Sequence, residues 1–410
     1  MKSPDIMAFG EPEPSSTFDL LRTSFGRFFL ANLVSNIALW LQDIAAAILI
    51  YQVTGSALWV STVAVVGFGS SIVTAPIGGW LGDRFDRRRV LAVTFIAVAV
   101  AAATVAALSA VLHVVVLVLV LTAVGGAARG IYSPIGQALA ADLVHRRDLA
   151  ASSSLTAMGF SLGRARGPAI GAVLVTTLGG PVTFFTAAGL ALLFIVLILS
   201  TPVTGTARIR RAPSEGRGSV LAFIAARPRL LVLLIVSAIM GMMTDPVITL
   251  GPALSDKLNA PGWMPGVFVS AFGTGAVLTG LSGAWLRRRV GSPRLATAGL
   301  VVLGACLILV AHASTPIVVI AALVLAGSAF LAANIDVITE LQEQIDDDVR
   351  GRVWAVWSVG FLGSRPVAAL IEGGIADHAG VPTALTVMAG VALLGAGLAF
   401  LSGERWLRRQ

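Results

Sequence analysis

This chain is poor in the residues on which soluble enzymes depend. It has one cysteine, Cys306, so no internal disulfide can form. Its two lysines, Lys2 and Lys257, follow no Gly-x4-Gly, which excludes a phosphate-binding loop, and no dinucleotide fingerprint is present either. The four histidines, His113, His145, His312 and His378, are scattered at the ends of apolar runs without metal-ligand spacing, so no metal site is expected. No nucleophile–base constellation stands out, and neither an enzyme activity nor a cofactor is expected. Charge is scarce too, at 12% of residues. The first 20 residues are acidic and Pro-rich with no apolar h-region, so no cleaved signal is expected and the first apolar run must itself direct insertion.

What is present is hydrocarbon. Apolar residues make up 56% of the 410, and mean hydropathy is +0.89. A soluble globule does not have this balance. A membrane-spanning helix needs about 20 consecutive apolar residues. Twelve such runs fit, near 26–51, 57–80, 90–110, 113–140, 152–176, 181–201, 229–251, 262–286, 294–312, 316–341, 353–375 and 383–402. The expected class is therefore an all-α membrane protein with twelve transmembrane helices.

The basic residues orient these spans. Outside the membrane, every Lys and Arg except Lys257 falls on one side, in the N-terminal arm, alternate loops and the C-terminal tail. The positive-inside rule then predicts that both termini are cytoplasmic. The net charge of +8 is accounted for by topology and by attraction to anionic lipid headgroups, and no nucleic-acid partner is implied. A 205-residue shift places Gln137 on Gln342, Asp142 on Asp347 and Arg147 on Arg352, which points to two pseudo-symmetric six-helix bundles arranged in parallel. The expected division is a disordered cytoplasmic arm over 1–20, a six-helix bundle over 21–201, a cytoplasmic linker over 202–228, a second bundle over 229–402 and a tail over 403–410. Residues 218–226, within that linker, can form a short surface helix.

Nine ionisable residues fall within the spans: Asp43, Arg129, Arg164, Arg166, Asp245, Asp336, Glu340, Arg365 and Glu372. Each costs about 2.5–3.5 kcal/mol at the bilayer centre unless it is paired or faces water. Asn32, Asn36 and Asp43 fall at i, i+4 and i+11, one polar stripe with Trp40 on the same side. Arg129, Ser133 and Gln137 form a second stripe. Asp43 has a counterpart in Asp245, which precedes Pro246 and neighbours Met242. Asp43, Asp245 and Asp336 are candidates for taking up and releasing a coupling proton. The competing reading is a salt bridge, or a bond to a kinked backbone. Arg129 is either a fixed cation for substrate or carboxylate, or half of a structural ion pair. Glu340, near the cytoplasmic end, reads as a solvated rim residue. Trp357, Phe361 and Arg365 suit a planar or acidic ligand, or core packing. The small residues Gly159, Gly163, Gly167 and Gly171 recur every fourth position and predict close approach of a neighbouring helix. Arg164 and Arg166 lie about 200° apart around that helix, so one of them must work between helices.

Residues 78–91, GGWLGDRFDRRRVL, resemble the loop between the second and third helices of major facilitator superfamily transporters, with Gly79, Leu81, Asp83, Arg84, Arg87 and Arg88 on that pattern and Asp86 in place of its central glycine. Gly163, Arg164, Gly167, Pro168 and Gly171 resemble the superfamily's antiporter-type helix motif. Residues 51–58, the run from Gln137 to Pro168 and residues 342–353 are similar to the branch of enterobactin-type siderophore exporters and macrolide efflux proteins. The resemblance implies a major facilitator fold. It implies a cytoplasmic latch at Gly79, Asp83, Arg84, Arg87 and Arg88, whose carboxylate contacts the start of the eleventh helix. It also implies proton-coupled export of a small amphiphilic molecule, such as a drug, siderophore or secondary metabolite, across the cell membrane by a protein functional as a monomer. Proton-coupled nutrient uptake and lysophospholipid transport are the alternatives. Asn36, Trp40, Asp43, Arg129, Ser133, Met242, Asp245, Trp357, Phe361 and Arg365 are the candidates for the substrate cavity.

Overall fold

Helix boundaries follow local capping chemistry. Thr23 accepts a hydrogen bond from the Phe25 amide at the start of α2 (Ser24–Thr54), and Gly55 ends that helix in the left-handed conformation with its N–H on the Tyr51 carbonyl. Ser56 then caps α3 (Ala57–Arg84) through the Trp59 amide, so two residues join two spans. Asp86 caps α4 (Arg87–Leu108), accepting from the Arg88 and Arg89 amides. Partial burial works against its charged form. The Arg89 and Arg88 amides and the Arg88 guanidinium prevail and hold the carboxyl below the usual carboxylate range.

The computed structural model describes residues 17–108, 114–145, 148–202, 220–244, 246–290, 294–345 and 349–407. Before α2 lies α1 (Thr17–Leu21). The first half continues with α5 (Val114–Asp142), α6 (Leu149–Thr177) and α7 (Gly179–Leu199). The second comprises α8 (Val220–Ala225), α9 (Pro228–Met242), α10 (Pro246–Thr249), α11 (Gly251–Lys257), α12 (Met264–Val290), α13 (Arg294–His312), α14 (Pro316–Glu343), α15 (Arg350–Ala379) and α16 (Val381–Leu407). No strand occurs among the described residues. Most of the arm and of the linker lies outside them.

Ten of these segments are long and apolar enough to cross a membrane. The other two spans are α6, which carries Arg164 and Arg166, and α12, whose apolar part is Met264–Gly280. The expected single seventh helix is broken into α9, α10 and α11. Pro246 has no N–H to give the preceding turn, and its ring clashes with the carbonyl four residues back. Helix ends overrun the expected spans because the chain keeps its hydrogen bonds beyond the apolar run, as at Arg84 and Glu343.

The packing repeats itself. In the first half α3 packs on α5, α2 on α6 and α4 on α7; in the second α12 packs on α14, α9 on α15 and α13 on α16. The two bundles meet along α3 with α15 and α6 with α12. Val73, Val93, Ile317 and Leu394 lie exposed on the outside, as hydrocarbon requires. The glycine stripe of α6 lies against α2. A Cβ on Gly163 would come within 2.5 Å of the Asn36 Cβ, and one on Gly171 within 2.6 Å of the Leu41 carbonyl oxygen. Contacts that short leave no room for a methyl group. Gly163→Ala should therefore lower stability by about 1–3 kcal/mol, the usual cost of overpacking. Gly69→Ala, with nothing within 4 Å, should be neutral or gain up to about 1 kcal/mol of helix propensity. Thermal melting of the purified variants reads both.

Candidate functional site

The α6 glycines place the polar face of α2 against α5 and α6, and this sets the geometry of the central site. Asn32 donates to the Thr156 carbonyl at 2.9 Å, while its own oxygen accepts from Tyr132 and from Asn36, both at 2.9 Å. Asn36 also donates to the Asn32 carbonyl at 2.8 Å. These bonds satisfy amides that would be costly if left bare in a membrane interior.

Beside this network lies a cavity of about 520 Å³. Asn32, Asn36, Trp40, Phe68, Arg129, Tyr132, Ser133, Gln137, Phe160 and Arg365 line it. It runs from Trp40 and Arg129 to Ala140 and Ala141 at the end of α5 and to Leu149, Ser152 and Ser153 at the start of α6. That end of the bundle carries the arginine-rich 78–91 loop. Toward the opposite end is a pocket of about 20 Å³, lined by Trp40, Asp43, Val60, Ala64, Phe68, Arg129 and Thr249 among others.

An ion pair lies where the two spaces adjoin, with Trp40, Phe68 and Arg129 lining both. Arg129 Nη2 donates to Asp43 Oδ2 at 2.8 Å, and both side chains keep some exposure, 18% and 15%. Arg129 lines both spaces, whereas Asp43 lines only the smaller. The Arg129 guanidinium lies 5.4 Å from the Trp40 ring and 5.9 Å from the Phe68 ring. Trp40 is 2% exposed, and its indole nitrogen has no hydrogen-bond partner among the described residues. Arg365, from the other bundle, lies 3.6 Å over Phe68.

Of the residues named from sequence, the cavity gathers Asn36, Trp40, Arg129, Ser133 and Arg365, while Asp43 lines the adjoining small pocket. Met242, Trp357 and Phe361 pack against the main apolar core instead and are not among the residues lining the cavity. Trp357 stacks on Phe361 with centroids 5.0 Å apart. Asp245 lies outside the described residues. Asp336 is fully buried but sits elsewhere: its Oδ2 accepts the Ala296 amide at 3.2 Å, capping the first turn of α13. Glu340, read as a solvated rim residue, is 4% exposed and pairs with Arg229 of α9 at 3.2 Å. The rim reading is corrected, because an arginine one helix away folds over that end of α14. Glu372 is likewise fully buried.

The interhelical arginine of α6 is Arg164. It donates to the Thr244 carbonyl at 2.6 Å, an acceptor freed by the break between α9 and α10, and lies between the Trp40 and Phe272 rings at 5.2 and 4.9 Å. Arg166 is exposed. Pro168 loosens α6 next to this point, and Ser270 of α12 takes the Ala169 amide at 3.0 Å. In the 78–91 loop, Arg87 pairs with Asp142 and Arg88 donates to the Thr201 carbonyl at 2.9 Å, both within the first bundle. Arg84 lies 4.5 Å over Trp80. A Cβ on Gly79 would meet nothing within 4 Å. Asp83 is exposed and makes no hydrogen bond or ion pair among the described residues.

Tyr132, Phe68 and Phe160 were missed as cavity residues. A signal existed for one of them: the chain has two tyrosines, and Tyr132 lies three residues after Arg129, on its helical face. The phenylalanines gave none, since nothing separates a cavity Phe from a lipid-facing one by spacing. Asp336→Ala removes the acceptor of the Ala296 amide and should lower stability by at least the roughly 0.5–2 kcal/mol that a lost helix cap costs. Thermal melting should show this drop, with labelling of cavity-lining positions unchanged.

Comparison with known proteins fits this geometry. Residues 15–404 match the family described as transmembrane secretion effectors. The chain is 25% identical over 399 residues to the enterobactin exporter EntS of Escherichia coli O1:K1, covering 95% of this chain and 94% of that protein. It is also 25% identical over 414 residues to EntS of Salmonella paratyphi A, covering 95% of each. In fold it is similar to the nucleoside transporter NupG (TM-score 0.72, 11% identity, 92% of this chain and 98% of that one). It is also similar to a bacterial homologue of the human lysosomal transporter Spinster (TM-score 0.74, 12% identity, 94% and 98%). With a helical fold of this class matched over nearly its whole length, the chain belongs to the transmembrane secretion effectors of the major facilitator superfamily.

Proposed function

We propose that this multi-pass membrane protein exports a small amphiphilic molecule, such as a siderophore, drug or secondary metabolite, in exchange for protons by alternating access. It acts as a monomer in the cytoplasmic membrane with both termini in the cytoplasm, which the distribution of arginines supports. The cavity then opens to the cytoplasm. The likeness to enterobactin exporters supports the direction and the substrate class.

The observation that carries the coupling is the Asp43–Arg129 pair between the two spaces. Arg129 keeps its charge at any physiological pH. With the pair closed, Asp43 is ionised and Arg129 is held beside Trp40, so the cavity is shaped to accept substrate from the cytoplasm. A proton arriving on Asp43 from the outer mouth neutralises it and releases Arg129 from its partner. Substrate and proton therefore favour opposite states of one pair, which is the requirement for exchange. Aromatic faces at Trp40, Phe68 and Phe160 suit an apolar ring, while Tyr132, Ser133 and Gln137 supply polar contacts.

The test uses everted membrane vesicles and a panel comprising a catecholate siderophore, a macrolide and an aromatic cationic dye. At least one should accumulate under an imposed proton gradient, and a protonophore should abolish the accumulation. Asp43→Asn should reduce gradient-driven uptake to the level of vesicles lacking the protein while retaining exchange of labelled for unlabelled compound. Full gradient-driven uptake by Asp43→Asn, or uptake of nothing in the panel, would count against the reading.

A further inference from the structure

Helices α3 and α15 run antiparallel across the bundle interface, and each ends near the start of the other. At the end away from the arginine-rich loop, Asp377 in the last turn of α15 reaches the first turn of α3. Its carboxylate accepts the Ala57 amide at 2.7 Å, the Leu58 amide at 3.3 Å and the Ser56 hydroxyl. Those amides have no partner inside their own helix, and the helix dipole makes them electropositive. The backbones touch here as well: a Cβ on Gly373 would lie 2.8 Å from the Ala57 carbonyl oxygen and 2.9 Å from the Leu58 Cα. At the other end of the same helix pair, Asp83 in the last turn of α3 is exposed and unengaged among the described residues. One carboxylate is seated where the bundles touch. The other is idle where the cavity opens.

We propose that Asp377 is the gate residue of the outer mouth. Its carboxylate, seated on the N-terminus of α3, holds the two bundles together on that side and must leave this seat once in every transport cycle. Three hydrogen bonds cross from one bundle to the other through this single side chain, so separating the bundles at this mouth breaks all of them together. The small pocket containing Asp43 lies behind the contact, lined by Val60, Val63 and Ala64 from the first half of α3. Opening the gate therefore exposes Asp43 to the outside, and closing it leaves only the cytoplasmic route. The inference rests on the alternating-access reading, but its test needs neither substrate nor gradient, so a failure of transport and a failure of the gate are read separately.

The test places one cysteine behind the gate, Ala64→Cys, in a chain carrying Cys306→Ala, and measures its labelling by a membrane-impermeant maleimide applied from outside to intact cells. Asp377→Asn keeps the shape of the side chain and removes its charge. It should raise the labelling rate about two- to fivefold, the bias that one anion on a helix N-terminus supplies. Asp83→Asn should leave the rate unchanged or lower it, and the melting temperature of Asp377→Asn should stay near that of the parent. If Asp377→Asn does not fold, Ser56→Ala removes one of the three donors and should shift the rate the same way by a smaller factor. An unchanged rate in the folded variant, or an equal rise from Asp83→Asn, overturns the proposal.

Discussion

An arginine that cannot lose its proton, set deep within a membrane span, must have an anion or water beside it, and Arg129 has the Asp43 carboxylate at 2.8 Å and lines both the small pocket and the large cavity. Its partner Asp43 comes from a different helix, and the pair sits where a water-sized pocket and the large cavity meet. Either charge alone would cost about 2.5–3.5 kcal/mol at the bilayer centre. The surroundings are arranged to keep them together: Trp40 and Phe68 present ring faces to the guanidinium, and the Asn32–Asn36–Tyr132 network fixes the stretch of α2 that leads to Asp43. In the proposed cycle this pair is the element that proton and substrate bias in opposite senses.

That arrangement depends on small residues some distance from any charge. The glycines of α6 let α2 approach until backbone meets backbone, which places Asn32, Asn36 and Trp40 on the wall of the cavity. Across the interface, Arg164 holds the Thr244 carbonyl at the break between α9 and α10, and Ser270 takes the Ala169 amide beside Pro168. Both bonds cross between the bundles next to a proline that interrupts a helix ladder. Two helices with interrupted ladders, held by single polar contacts, can re-form those contacts in another register more readily than two intact apolar faces can slide. The contact of Asp377 with the start of α3 belongs to the same class, being polar and localised.

Much of this was legible in the sequence because hydrocarbon imposes strict rules. Length and hydropathy gave the spans, and the polar stripe of α2 was visible in the spacing of Asn32, Asn36 and Asp43. The stripe of α6 glycines marked a close helix contact without saying which helix it met. What the sequence could not show was partnership. Asp336 and Asp43 are both aspartates within apolar runs, yet one caps a helix and the other lines the small pocket; only the neighbouring chain decides. Glu340 looked solvated from its position near a span end, but Arg229, over a hundred residues earlier, covers it. Trp357 and Phe361 shared a helix with Arg365, and the fold turned only Arg365 toward the cavity. The break of the seventh span was signalled by Pro246, whereas its use, an acceptor for Arg164, was not.

The exchange account is tested most directly by proton release from purified protein in weak buffer, followed with a pH-indicator dye while a compound that accumulates in vesicles is added. The prediction is that parent protein equilibrated in acid, with Asp43 protonated and the pair open, releases a burst of protons when the compound binds, and that Asp43→Asn releases none, although both bind the compound. An equal burst from Asp43→Asn, or binding by the parent with no burst, would contradict the central role given to the Asp43–Arg129 pair.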